Sequence, residues 1–124
     1  MVSQISPEQM AIYRAAARRR MRGERQELAR RRERAWKLAR EAAALLKKEF
    51  GASRVVVFGS LLRSDCFTRW SDVDIAAWGI RPEDTFKAIG AVLDLDSTIE
   101  INLVDMGACR PSLRAVIERK GVDV

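Results

Sequence analysis

The stretch from Val55 to Ala76 reads VVVFGSLLRSDCFTRWSDVDIA, and it follows a change in the periodicity of the chain after Gly51. Arg54 to Phe58 (RVVVF) is a β-branched run of strand length that ends at Gly59-Ser60. Leu61 to Ser64 is long enough for one helical turn, and Asp65 to Ser71 has the composition of a loop. Asp72 to Trp78 (DVDIAAW) predicts a second strand, stopped by Gly79. Asp72 and Asp74 are then two apart on a strand, so both carboxylates leave the same face of the sheet. Held that close they repel, and ionising both is costly unless a cation lies between them. A hard divalent cation with oxygen ligands is the natural partner, and Mg²⁺ shared with substrate phosphates suits a carboxylate pair. Gly59-Ser60 supplies a second element: a glycine at a strand end lets backbone amides approach a phosphate, and the Ser60 hydroxyl adds a donor. Alone, each element is ordinary, a turn in one case and a solvated face in the other. Together, with an apolar strand running into each and a single loop between them, they point to a phosphate-handling site.

Outward from this stretch, the upstream sequence is helical. Ser6-Pro7-Glu8-Gln9 reads as a capping box with Pro at the first helical position, and Gly51 supplies the stop after Phe50. A helix over 7–50 would be about 66 Å long at roughly 1.5 Å per residue, so it either breaks near Gly23 or projects. Its C-terminal third carries an apolar face of Trp36, Ala39, Ala43, Leu46 and Phe50 that should pack on the body. Between Arg14 and Arg40 the apolar residues Met21, Leu28 and Ala35 recur at seven-residue steps, thin evidence for a coiled coil. Downstream, Pro82-Glu83-Asp84 opens a helix with apolar face Phe86, Ile89, Val92 and Leu93. Thr98 to Val104 (TIEINLV) alternates as a third strand, and Pro111 to Lys120 reads as a closing helix ended by Gly121.

The 124 residues suffice for one domain, 1–124, made of a helical arm (7–50) and a core (51–124). Charge divides the same way. Residues 1–50 hold 14 Lys and Arg against 6 Asp and Glu, and residues 51–124 hold 9 against 11. The formal net charge of +6 is therefore a basic arm added to a slightly acidic body. With no histidine in the chain, Ser-His-Asp and Cys-His nucleophile systems, His-ligated zinc and histidine-dependent ribonuclease chemistry are excluded. Cys66 and Cys109 belong to no CxxC motif and read as reduced thiols of a cytoplasmic protein. No apolar run approaches the roughly 18 residues of a membrane span, and Met1 to Met10 has no signal-peptide core.

The Gly-Ser, the loop and the Asp-x-Asp resemble the minimal nucleotidyltransferases (MNT domains) of the polymerase-β-like superfamily. The resemblance covers Val55 to about Val104, and the WKLAREAAALLKKEFGASRVVVFGS run is similar to the helix leading into the first strand in one branch of the family. It implies an α+β nucleotidyltransferase fold, a small mixed three-stranded sheet flanked by helices, here with a long basic N-terminal helix. It also implies Mg²⁺-dependent transfer of AMP from ATP to a protein hydroxyl. In many prokaryotes such proteins are antitoxins that adenylylate a tyrosine of a HEPN ribonuclease toxin. Carried over residue by residue, Gly59 and Ser60 bind the nucleotide phosphates while Asp72 and Asp74 are the catalytic metal ligands.

Two departures stand out. Eleven residues separate Ser60 from Asp72, one more than is usual in the family. The family's third carboxylate falls at Asn102, which can be neither a base nor an anionic ligand. Glu100, two residues earlier and of the same strand parity, is the substitute candidate for catalysis and metal binding, whereas Asp105 has the opposite parity. Arg63 and Arg69, in the loop between the motif halves, are candidates for the triphosphate because arginine forks match phosphate oxygens. Trp70 and Trp78 are candidates for stacking on a base or for burial against the sheet.

Three functions compete at this level: AMP transfer; an antitoxin, catalytically weakened by Asn102, that neutralises a HEPN toxin by direct binding; and nucleic-acid binding by the arginine-rich helix. The last ranks below the others. The arm lacks aromatic interleaving and a helix-turn-helix, and Glu24, Glu27, Glu33 and Glu41 interrupt its positive face.

Overall fold

The computed structural model describes residues 4–124, so the reading of Met1 to Met10 extends three residues beyond the described ones. Helix α1 spans Pro7–Phe50 without a break. Its capping box is formed: the Ser6 hydroxyl accepts from the Gln9 amide at 3.1 Å, and the Gln9 side chain accepts from the Ser6 amide at 3.0 Å. Gly51, at φ 70°, ends it in the left-handed region that glycine enters without steric cost. Strand β1 (Arg54–Phe58) runs into a 3₁₀ turn over Gly59–Leu62, and β2 (Val73–Trp78) follows the loop. A 3₁₀ turn at Pro82–Asp84 leads into α2 (Thr85–Leu93), then come β3 (Ile101–Asp105), α3 (Pro111–Lys120) and a two-residue β4 (Val122–Asp123).

The fold is α+β, with one mixed sheet in the order β3-β2-β1-β4. β1 is antiparallel to both β2 and β4, while β2 and β3 are parallel and joined through α2. The sheet therefore has four strands where three were expected. The additional strand is the dipeptide after α3, too short to show a period; Val56 pairs with Asp123, and Arg54 holds the edge through Asp123 at 2.7 Å.

Helices α1 and α2 cover one face, burying Ala35, Leu38, Ala39, Ala42, Ala43 and Leu46 against Val55, Val57, Val73, Ile75 and Ala77. Trp36 and Phe50 pack at the margin of that core. The other face is covered by less: Ile117 of α3 and Met106 close over Val56 and Ala76. Small alanines on α1 let the helix approach the sheet closely, while the β-branched strand residues fill the pleat.

Three details differ from the sequence expectation. Phe86 is 87 % exposed, and the buried residues of α2 are Ala88 and Val92. The Thr85 hydroxyl donates to Asp105 at 3.1 Å, which tethers the start of α2 to the end of β3. The third strand begins at Ile101, not Thr98, because the Asp96 carboxylate accepts from the amides of Thr98 (2.7 Å) and Ile99 (3.0 Å) and draws that backbone into a turn. The second strand begins one residue late, at Val73.

Described residues before Ala35 contribute no buried side chain, so the first half of α1 projects from the body. It leaves the body through arginines. Arg31 donates to the carbonyls of Ser71 (3.2 Å) and Thr98 (3.3 Å), Arg32 to that of Leu61 (2.8 Å), and Arg34 pairs with Asp96 at 2.7 Å. Part of the basic charge of the arm is thus engaged with the body. No helix among the described residues is long and apolar enough to cross a membrane.

Candidate active site

The site is built where β1 ends and β2 and β3 begin, on the thinly covered face. Phe58 pairs with Asp74 across β1 and β2, and Asp74 pairs with Asn102 across β2 and β3. This register brings the two motif halves together. Gly59 has φ 79°, and a Cβ built on it would lie 2.5 Å from Asp74 Oδ2. Glycine is required there twice over, for the backbone conformation and for the approach to the carboxylate. The 3₁₀ turn that Gly59 opens contains Ser60, which is half-buried.

Asn102 Nδ2 donates to Asp74 Oδ1 at 3.1 Å and to Asp72 Oδ2 at 3.4 Å. The amide therefore bridges the two carboxylates. Burial raises the Asp74 carboxyl above its ordinary value; the Asn102 hydrogen bond pulls it down, and the neighbouring Asp72 charge adds to the rise. Two carboxylates on one face, one of them held in an environment that disfavours its charge, form a donor set suited to a hard cation. Among the described residues no cluster of three or more His, Cys, Asp and Glu side chains has the disposition of a metal site. The reason is local: the β3 residue beside the two aspartates, Asn102, is an amide, and Glu100 lies just outside the strand, exposed, with its carbonyl accepting from the Val73 amide at 2.9 Å.

Two cavities flank the carboxylates. The first, of about 560 Å³, lies on the β1 side and is lined by Gly59, Ser60, Arg63 and Lys120 over an apolar floor of Phe58 and Val116. The second, of about 630 Å³, lies toward β3 and is lined by Asp72, Glu100, Arg69, Trp70, Arg31 and Thr98. The candidate residues therefore divide. Gly59, Asp72 and Asp74 come together with Asn102; Ser60 and Arg63 face the first cavity; Glu100 and Arg69 share the second with Asp72. Arg63 also pairs with Asp65 at 3.3 Å on the surface.

Sequence reasoning missed Lys120 and Arg31. Lys120 carried only the signal of a basic helix end, and Arg31 was one of many arginines; long-range packing puts each beside the site. Of the two tryptophans, Trp78 is half-buried under the Arg54 guanidinium, 4.7 Å from its ring, whereas Trp70 is 77 % exposed. Compared with known protein families and with curated proteins, the chain matches none.

Proposed function

We propose that the protein is a nucleotidyltransferase that moves AMP from ATP to a protein hydroxyl, in the manner of the MNT antitoxins that its motif resembles, with a tyrosine of a HEPN ribonuclease toxin as acceptor. The observation that carries this reading is the approach of Gly59 to Asp74, which sets a phosphate-compatible turn against a carboxylate pair. Asp72 and Asp74 would hold Mg²⁺, which when bound neutralises phosphate charge. Gly59 and Ser60 hold the phosphates from the backbone side, with Arg63 and Lys120 as cations at the rim of the same cavity. Glu100, which lines the cavity on the β3 side together with Asp72, is the further carboxylate offered for catalysis and metal binding. Fixed donors and charges of this kind act mainly by positioning and by stabilising the transferring phosphoryl group.

The test is Mg²⁺-dependent transfer of label from ATP to the product of the neighbouring gene, followed by mass spectrometry. The chain's own Tyr13 is replaced by Phe so that the label reports the added acceptor. A gain of one or more AMP units that is lost in Asp72→Asn/Asp74→Asn supports the reading; equal labelling by the double variant overturns it.

A second reading rests on Asn102 in the third acidic place and on the unburied basic half of α1: neutralisation of the same kind of toxin by contact. Neutralisation would then survive the double variant and fail when residues 1–24 are removed.

A further inference from the structure

The unbroken course of α1 fixes on which side of the helix each residue of its projecting half lies. At about 3.6 residues per turn, Arg14, Arg18, Arg22 and Arg25 fall within a sector of about 80°, along about 17 Å of the axis. All four are exposed, and among the described residues none of them pairs with a carboxylate. Ala11 and Ala29 lie in the same sector and keep the helix slender at either end of the row. The glutamates that interrupt the basic run in sequence are turned elsewhere. Glu24 and Glu27 line the crevice between α1 and the loop before β2, together with Arg31, Thr68 and Arg69. Glu33 stands among the arginine anchors, Glu41 on the stretch that packs on the body, and Glu8 in the first turn. The fold therefore sorts the charge of the arm, with acids toward the body and a row of arginines toward solvent.

What meets this row follows from its surroundings. Leu28 packs against the core; beyond it, the exposed large apolar residues of α1 are Ile12, Tyr13 and Met21. They lie on different sides of the helix, at least about 80° apart, and form no continuous apolar face of the kind a lipid surface or a helix-binding groove requires. Charge opposes a second copy of the chain, because residues 7–30 hold seven arginines against three glutamates. The regular feature is the row of planar guanidinium groups, which match phosphate oxygens. An α-helix with its side chains is about 10–12 Å across and enters the major groove of B-DNA, about 12 Å wide, whereas that of A-form RNA is too narrow.

We propose that the projecting half of α1 binds duplex DNA, lying along the major groove with Arg14, Arg18, Arg22 and Arg25 on backbone phosphates. Residues 51–124, with 9 Lys and Arg against 11 Asp and Glu, add no attraction, so the contact is confined to the arm. This binding uses none of Gly59, Ser60, Asp72 and Asp74, and so is independent of AMP transfer. Four phosphate contacts give a slope of about −3.6 in log affinity against log salt, about a hundredfold loss between about 50 and 200 mM.

The test is fluorescence anisotropy of the full chain with a labelled DNA duplex, repeated across salt concentrations. Arg14→Gln/Arg18→Gln/Arg22→Gln/Arg25→Gln should weaken binding by about tenfold or more at about 50 mM salt and remove most of the slope. Arg19→Gln/Arg20→Gln/Arg30→Gln/Lys37→Gln takes the same charge from other sides of α1 and should keep the wild-type slope. Glutamine is a good helix former, and both variants should match wild type in far-UV circular dichroism and Tm. Asp72→Asn/Asp74→Asn should bind the duplex as wild type does, which separates this result from the outcome of the transfer assay. Absence of wild-type binding at about 50 mM salt overturns the proposal. Equal weakening by the two quadruple variants also overturns it, because net charge alone then accounts for the binding. Tighter binding of double-stranded RNA, or of either single strand, assigns the arm to that ligand and overturns it as well.

Discussion

Asn102 stands directly across the β2–β3 ladder from Asp74, with its amide nitrogen 3.1 Å from Asp74 Oδ1 and 3.4 Å from Asp72 Oδ2. A neutral donor on the third strand thus bridges the two carboxylates and offsets part of their repulsion.

On the transferase reading, Mg²⁺ should stabilise the protein through these carboxylates. Cation binding to the folded state alone raises stability by about 2.7 kcal/mol at a hundredfold excess over Kd. Wild type should show a rise in Tm of several degrees with saturating Mg²⁺, and Asp72→Asn/Asp74→Asn should show none. Asn102→Asp should enlarge the rise, because a third carboxylate replaces the bridging amide.

Gly59→Ala and Gly23→Ala should have opposite signs. At Gly59 the added carbon meets Asp74 Oδ2 at 2.5 Å in a left-handed conformation, a strain of about 1–3 kcal/mol that also displaces the carboxylate. Around Gly23, in the middle of α1, a Cβ meets nothing within 4 Å, and alanine should stabilise the helix by about 0.5–1 kcal/mol. Thermal unfolding of the two variants checks both.

Arg31 ties α1 to the segments that enter β2 and β3, so Arg31→Ala should destabilise by about 0.5–1.5 kcal/mol by removing its hydrogen bonds to the Ser71 and Thr98 carbonyls. The Val73 amide, which bonds the Glu100 carbonyl between those two segments, should lose hydrogen-exchange protection. Arg18→Ala, on the exposed projecting part, should change neither.

Asp96 sets an acid limit. Its carboxylate accepts from the Thr98 hydroxyl and amide, from the Ile99 amide and from Arg34, which holds its pKa far below the ordinary carboxylate range. A depressed folded pKa contributes stability that is complete above the unfolded value near 3.9 and is lost as pH falls through the folded value. Asp96→Asn should be less stable than wild type at neutral pH, and the two should converge as pH drops below about 4. Urea midpoints measured across pH give the comparison.

Removing residues 1–24 should leave the fold intact, because the buried residues of α1 begin at Ala35 and its arginine anchors at Arg31. Far-UV circular dichroism should lose the corresponding helix while Tm stays within a few degrees. A cut at residue 34 should unfold or loosen the protein, since it deletes Arg31, Arg32 and Arg34, each of which bonds the body.

Much of this was legible in the chain. The capping box at Ser6, the stop at Gly51, the bounds of α3 and the strand before Gly59 are all written in residues within a turn or two of one another, where capping, period and turn chemistry act locally. The same locality made Gly59-Ser60 and Asp72-x-Asp74 readable as a candidate site, and the register brings Gly59 against Asp74. The tertiary structure decided what depends on segments far apart. It paired Val122–Asp123 with β1 as a fourth strand, left Phe86 exposed while burying Ala88 and Val92, placed Asn102 between the aspartates, and brought Lys120 and Arg31 to the candidate site. The physical reason is that a period states which residues share a face, whereas register and docking, which are set by hydrogen bonds between strands and by packing across the whole chain, state what that face meets.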